Sequence, residues 1–248
     1  MEKRLIARGL LAGTVGAVLA FVFARLFAEP VIGRAIEYEE GRAEVAHAQG
    51  VHEHGVELFT RGVQGNAGLG FGVLIFGIAM GALFAVAFCV AYARAEDAAP
   101  QELSLRLAAG AFTAVYLVPF VKYPPNPPAV GQADTIRSRT LWYLVMVLAS
   151  VALAIAAVWL ARRLAARLGP WNAALSAAGA YVVAIALIIL VLPTIAETPA
   201  GFPADVLYEF RLVSLGTQLV LWVTTGVVFA TLASRLLGER AGRVKSSA

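Results

Sequence analysis

The chain has 248 residues, 60% of them apolar and only 15% charged, with a mean hydropathy of +0.76. A soluble surface carries about 25% charged residues, and disorder needs low hydrophobicity with high charge. Both are excluded, and the composition is that of an integral membrane protein. The net charge of +4 and pI near 9.5 would suit nucleic acid, but the positions of the charges explain them better.

Six apolar runs are long enough, or nearly so, to cross a hydrocarbon core of about 30 Å, which takes about 20 helical residues. The first is Leu5 to Ala28. It follows a basic start at Lys3 and Arg4, yet Arg25 interrupts its end and no small-x-small cleavage site follows. This predicts an uncleaved first helix. The second is Ala67 to Ala93 and carries Gly68, Gly70, Gly72, Gly77 and Gly81. Small residues at three- and four-residue spacing let helices pack closely in lipid. The third, Leu103 to Val121, is the shortest and has Pro119 near its end. Then come Thr140 to Ala161, Ala173 to Leu192 and Leu212 to Leu237. None alternates like a barrel strand, and backbone in lipid must pair internally. The expected fold is therefore all-α and polytopic, with six transmembrane helices arranged as three hairpins. Residues 1–238 form one domain and residues 239–248 a short tail.

The charges sort by side. Twelve of the 20 Lys and Arg, with five acids, fall at the termini and in the short segments Arg94 to Glu102 and Arg162 to Pro170. The other eight, with 11 acids, fall in three longer connections. The positive-inside rule then places both termini in the cytoplasm, the protein in the cytoplasmic (inner) membrane, and the three longer connections outside. The pI thus records topology, and no nucleic-acid partner is expected. A weak parallel repeat accompanies this arrangement. Pro119 and Pro193, Pro125 and Pro199, and Arg137 and Arg211 share one spacing. Each proline is expected to end an outward helix and each arginine to begin the returning one.

Outer connection one runs from about Glu29 to Asn66 and holds all three histidines, His47, His52 and His54, among Glu44, Glu53, Glu57 and other acids. Imidazole with carboxylate suits divalent transition metals such as cobalt, nickel and zinc. Ile36 to Ala48 is compatible with a helix that sets Glu40, Glu44 and His47 on one face. His52 and His54 would chelate only from an extended segment. A solvated charged loop would carry the same residues. Connection two contains Tyr123-Pro124-Pro125-Asn126-Pro127-Pro128, which cannot be helical because proline lacks the donor. Its freed carbonyls need water, side chains or an ion, and Asn126 is its candidate polar contact. Connection three holds Glu197, Asp205 and Glu209, with Arg211 close by. These serve either as contacts at an outer entrance or as a fastening of connections two and three.

No nucleotide loop, GxSxG, HExxH or catalytic Cys/His pairing occurs, and Cys89 is the only cysteine. An enzyme is not expected.

The stretch VPFVKYPPNPPAVG from Val118 to Gly131 resembles the corresponding segment of the CbtA family, in its actinobacterial type. So do Glu197-Thr198-Pro199-Ala200-Gly201-Phe202-Pro203 followed by Phe210-Arg211, and Arg61 and Asn66 ahead of the glycine-rich second helix. The resemblance spans the first helix through the sixth. It implies a cobalt transporter subunit linked to cobalamin biosynthesis, working with a small single-helix partner, CbtB, that bears a histidine-rich end. The expected cargo is a divalent cation, cobalt or nickel, with no tightly bound cofactor. A homo-oligomer is compatible with the glycine-rich faces. The other reading is a non-transporting membrane scaffold or sensor that holds a partner through its outer connections.

Overall fold

The computed structural model of the chain describes residues 2–48, 68–95, 98–131 and 135–246, and for 45–48 and 239–246 the backbone alone. Among the described residues there are helices and connections but no strand. Helix α1 is Glu2–Phe23, α2 is Glu29–Ala48, α3 is Leu69–Tyr92, α4 is Pro100–Ala111, α5 is Val118–Lys122, α6 is Ile136–Val191 and α7 is Ala204–Ser246.

Two of the junctions are wide π turns, Ala24–Ala28 and Phe112–Leu117. In each, an amide reaches back five residues: Glu29 N–H donates to the Ala24 carbonyl and Val118 N–H to that of Thr113. A proline follows at once, Pro30 or Pro119. Proline cannot donate, and its ring crowds the carbonyl four residues back. The widened turn relieves that crowding, so neither helix stops. This corrects two expectations. Pro119 does not end its helix, which runs on to Lys122. The segment after Ala28 is no loop either, because the helix continues to Ala48. The expected helix over Ile36 to Ala48 is present.

Five helical stretches are long and apolar enough to span a membrane: Glu2–Glu44, Leu69–Tyr92, Pro100–Lys122, Ile136–Val191 and Ala204–Gly238. The fourth, at 56 residues, is two arms. Gly169 breaks it with φ 75 and ψ 160, a conformation that glycine alone adopts without strain. Pro170 then opens the second arm, where a missing donor costs nothing. The expected fourth and fifth spans are these arms. Their boundaries differ, because residues 162–168 are helical rather than a loop.

The chain divides into two compact units. One comprises Met1–Ala109, Pro127–Ala129 and Pro203–Ala248. Within it α1 packs against α3 and α7. A Cβ built on Gly13 would meet the Gly81 Cα at 2.8 Å, and one on Gly81 would meet the Gly13 Cα at 2.7 Å. Backbone lies on backbone there, so only glycine fits. Gly9 faces Gly81 while Gly13 faces Gly77, which makes the pair antiparallel. On another side of α1, Gly16 sits against Thr225 and Leu221 of α7. Phe229 of α7 meets Phe84 and Phe88 of α3 edge to face, with ring centroids 5.2 and 5.0 Å apart. The Arg8 guanidinium donates to the Leu232 carbonyl.

The other unit comprises Gly110–Asn126 and Val130–Phe202. Its core joins Tyr123, Met146 and Ile185, with Trp142, Leu153, Tyr181 and Ile188 packed around them. The two arms of α6 are further tied by a 2.8 Å hydrogen bond between the Ser150 and Tyr181 hydroxyls. Expected spans three, four and five thus share one core, while one, two and six share the other.

Candidate functional site

The two proline-bearing connections of the second unit meet at one carboxylate. Residues 123–127 are non-helical, as the prolines require. Tyr123 lies at the start of this segment, and its hydroxyl donates to the Pro193 carbonyl at 2.8 Å. Pro193 also sets the end of α6: the residue before a proline is pushed from helical to extended backbone, and Leu192 has ψ 141. Extended chain then carries Glu197 back beside the first turns of α6.

Glu197 is buried, with its side chain 1% exposed. It accepts a hydrogen bond from Arg139 at 2.7 Å, one from Asn126 at 3.2 Å and one from the Thr135 hydroxyl. Gly131 lines the same place: a Cβ there would stand 3.7 Å from Arg139 Nη1 and 4.0 Å from Glu197 Oε2. Burial alone would raise the carboxyl pKa. The hydrogen bonds from Thr135 and Arg139, the Arg139 charge and the Asn126 amide outweigh it and hold the group below its ordinary value. Glu197 is therefore a satisfied anion at neutral pH.

A second cluster lies within the first unit. Arg34 on α2 bonds Glu209 on α7 and stands 3.8 Å from Asp205. These side chains are 40%, 45% and 69% exposed. Asp205, Glu209 and Arg211 were expected in or just after a loop ahead of the last helix. They sit on α7 itself, which begins at Ala204 because Pro203 precedes it as a natural helix start. The tail expected after residue 238 likewise continues the helix to Ser246.

The expected capture residues fare differently. Glu44 is exposed on α2. His47 lies on the last turn of α2, where only backbone is described. His52, Glu53, His54 and Glu57 lie outside the described residues. Among the described residues, no three His, Cys, Asp or Glu side chains converge as metal ligands. Glu197 and Asn126 come together as the fastening reading expects. Their cationic partner is Arg139, and the sequence reading missed it along with Thr135 and Arg34. An arginine two residues from the repeat position Arg137 was the available signal. The choice of Glu197 as its partner is a tertiary fact.

Comparison with known families places the whole arrangement. The family described as "Probable cobalt transporter subunit (CbtA)" matches residues 2–234. No curated protein and no solved structure matches the chain.

Proposed function

The chain belongs to the CbtA family of probable cobalt transporter subunits, and from that premise we propose that it is the membrane-embedded subunit of an uptake system for a divalent transition-metal cation, cobalt or nickel. The family match over nearly the whole chain carries this reading. The sorting of acids and histidines away from the basic segments supports it, since a net negative mouth concentrates cations modestly. In this proposal the acidic, histidine-bearing segment after α2 captures the ion, with His47, His52, His54, Glu44, Glu53 and Glu57 as ligands. Histidine and carboxylate are the donor set that such cations prefer.

Asp205 and Glu209 are proposed as exposed contacts at the outer entrance, beside the segment's helical stem α2. Glu197 and Asn126 are proposed as the rigid wall of that entrance, not as ligands. Each already spends its polar atoms on protein partners. The capture segment faces the outside of the cytoplasmic membrane with both termini inside, and a small single-helix CbtB-like subunit completes the transporter. The scaffold reading has no observation in its favour.

Cobalt accumulation at low external metal tests the proposal, in cells with and without this chain and with the small subunit present throughout. Uptake should depend on the chain, and it should fall when His47, His52 and His54 are all replaced by Ala while the folded protein remains in the membrane. Unchanged uptake without the chain would sink the transport reading. Unchanged uptake in the triple variant would remove the capture role alone.

A further inference from the structure

The break at Gly169 leaves a basic and aromatic patch that the transport reading does not use. Arg162, Arg163 and Arg167 occupy the last turns of the first arm of α6, and all three are exposed. The whole of α6 contains no aspartate or glutamate. Among the described residues no carboxylate pairs with any of the three. Arg163 lies over the Trp159 ring at 5.0 Å, which holds its guanidinium flat against an aromatic face. Trp171, just past the break, is 73% exposed, and Leu168 is 45% exposed.

Position along the arm fixes what this patch meets. From Arg139 to Arg162 no charged residue intervenes. At 1.5 Å per residue that stretch is roughly 35 Å long, against a hydrocarbon thickness of about 30 Å. With Arg139 at one boundary, Arg162 falls at the other. Tryptophan prefers that same level, and Trp159 and Trp171 bracket it. Arginine presents a planar fork of donors that matches two phosphate oxygens at once. A soluble anion would use the guanidinium groups alone. A phospholipid uses them and also covers Leu168 and the two indoles with its acyl chains.

We infer that Arg162, Arg163 and Arg167, with Trp159 and Trp171, form a binding site for an anionic phospholipid headgroup at the Gly169 end of α6. Three unpaired cations there match the phosphodiester of an acidic lipid, and basic clusters at membrane boundaries recruit such lipids generally. The site does not depend on which ion the protein carries.

The test uses the full-length protein in detergent micelles, with lipid retention read by native mass spectrometry. Phosphatidylglycerol and phosphatidylcholine are offered at equal concentration. The unaltered protein should retain several times more phosphatidylglycerol. Arg162→Gln, Arg163→Gln and Arg167→Gln together should abolish that preference, and Arg167→Gln alone should reduce it. Lys3→Gln, Arg4→Gln and Arg94→Gln remove as many charges elsewhere and should leave it intact. Retained preference in the triple variant, or an equal loss in the control, overturns the site. Displacement of the lipid by millimolar inorganic phosphate would also overturn it, because the site would then be one for a free anion.

Discussion

The two units solve one problem in opposite ways. The first brings helices together by removing side chains: Gly13 and Gly81 place α1 and α3 backbone to backbone. Its outer arginine, Arg34, meets Glu209 with both side chains nearly half exposed. The second unit keeps its side chains large, packing Tyr123, Met146 and Ile185, and buries the carboxylate of its ion pair almost completely. Dispersion and close approach hold helices in lipid, where the hydrophobic effect between them is absent. Small residues achieve this through backbone contact, and large ones through interlocking shape. The ion pairs differ in worth for a related reason. An exposed pair is solvated with or without its partner, whereas a buried carboxylate that loses its cation has no water to turn to.

The sharpest way to break this contrast is to remove Arg139. Arg139→Ala should destabilise the protein by about 3–5 kcal/mol, because Glu197 stays buried and uncompensated. Replacing both members, Arg139→Met with Glu197→Leu, should cost clearly less than Arg139→Ala alone. Thermal unfolding in detergent reads both, and equal losses would mean that the pair is not coupled. Acid should act on the same group. Its folded pKa lies below the ordinary 4.5, so its contribution is complete above that value and disappears as pH falls through the lower, folded pKa. Melting temperature should drop with acid below about pH 5, and Glu197→Gln should flatten part of that drop.

Gly81→Ala is the matching test in the first unit. The added methyl has no room against the Gly9 carbonyl and the Gly13 Cα, and a loss of about 1–3 kcal/mol is expected from forced separation of α1 and α3. Smaller again is Asn126→Ala, which removes one hydrogen bond to Glu197 and should cost about 1 kcal/mol. Arg34→Ala should cost less than about 1 kcal/mol, and the fall should shrink further in high salt. A loss as large as that of Arg139→Ala would erase the distinction between the two units.

The spans were legible because hydrocarbon imposes a length and a polarity on each of them, and the runs from Leu5, Ala67 and Leu103 sit close to the helices observed. The helix ends were not legible. Residues 29–48 and 162–168 are charged and look like loops, yet a helix that leaves the membrane need not stop there. Pro30 and Pro119 read as terminators, and only the π turns before them let the helices continue. Prolines 124 and 125 did mark non-helical chain, since two in succession leave no such escape. Of the site, Asn126 and Glu197 were found as polar groups among prolines. Thr135 and Arg139 were not found, because nothing in their local sequence says which loop will fold back onto them.

The π turn at Ala24–Ala28 also carries a genetic meaning. It behaves as a single surplus residue lodged in an otherwise regular helix. Excising one residue there would restore the ordinary winding and turn everything beyond it by about 100°. Arg34 would swing away from Glu209, and the whole polar stem would present a different edge. One codon thus sets the azimuth of the outer segment, independently of any side chain that the segment displays.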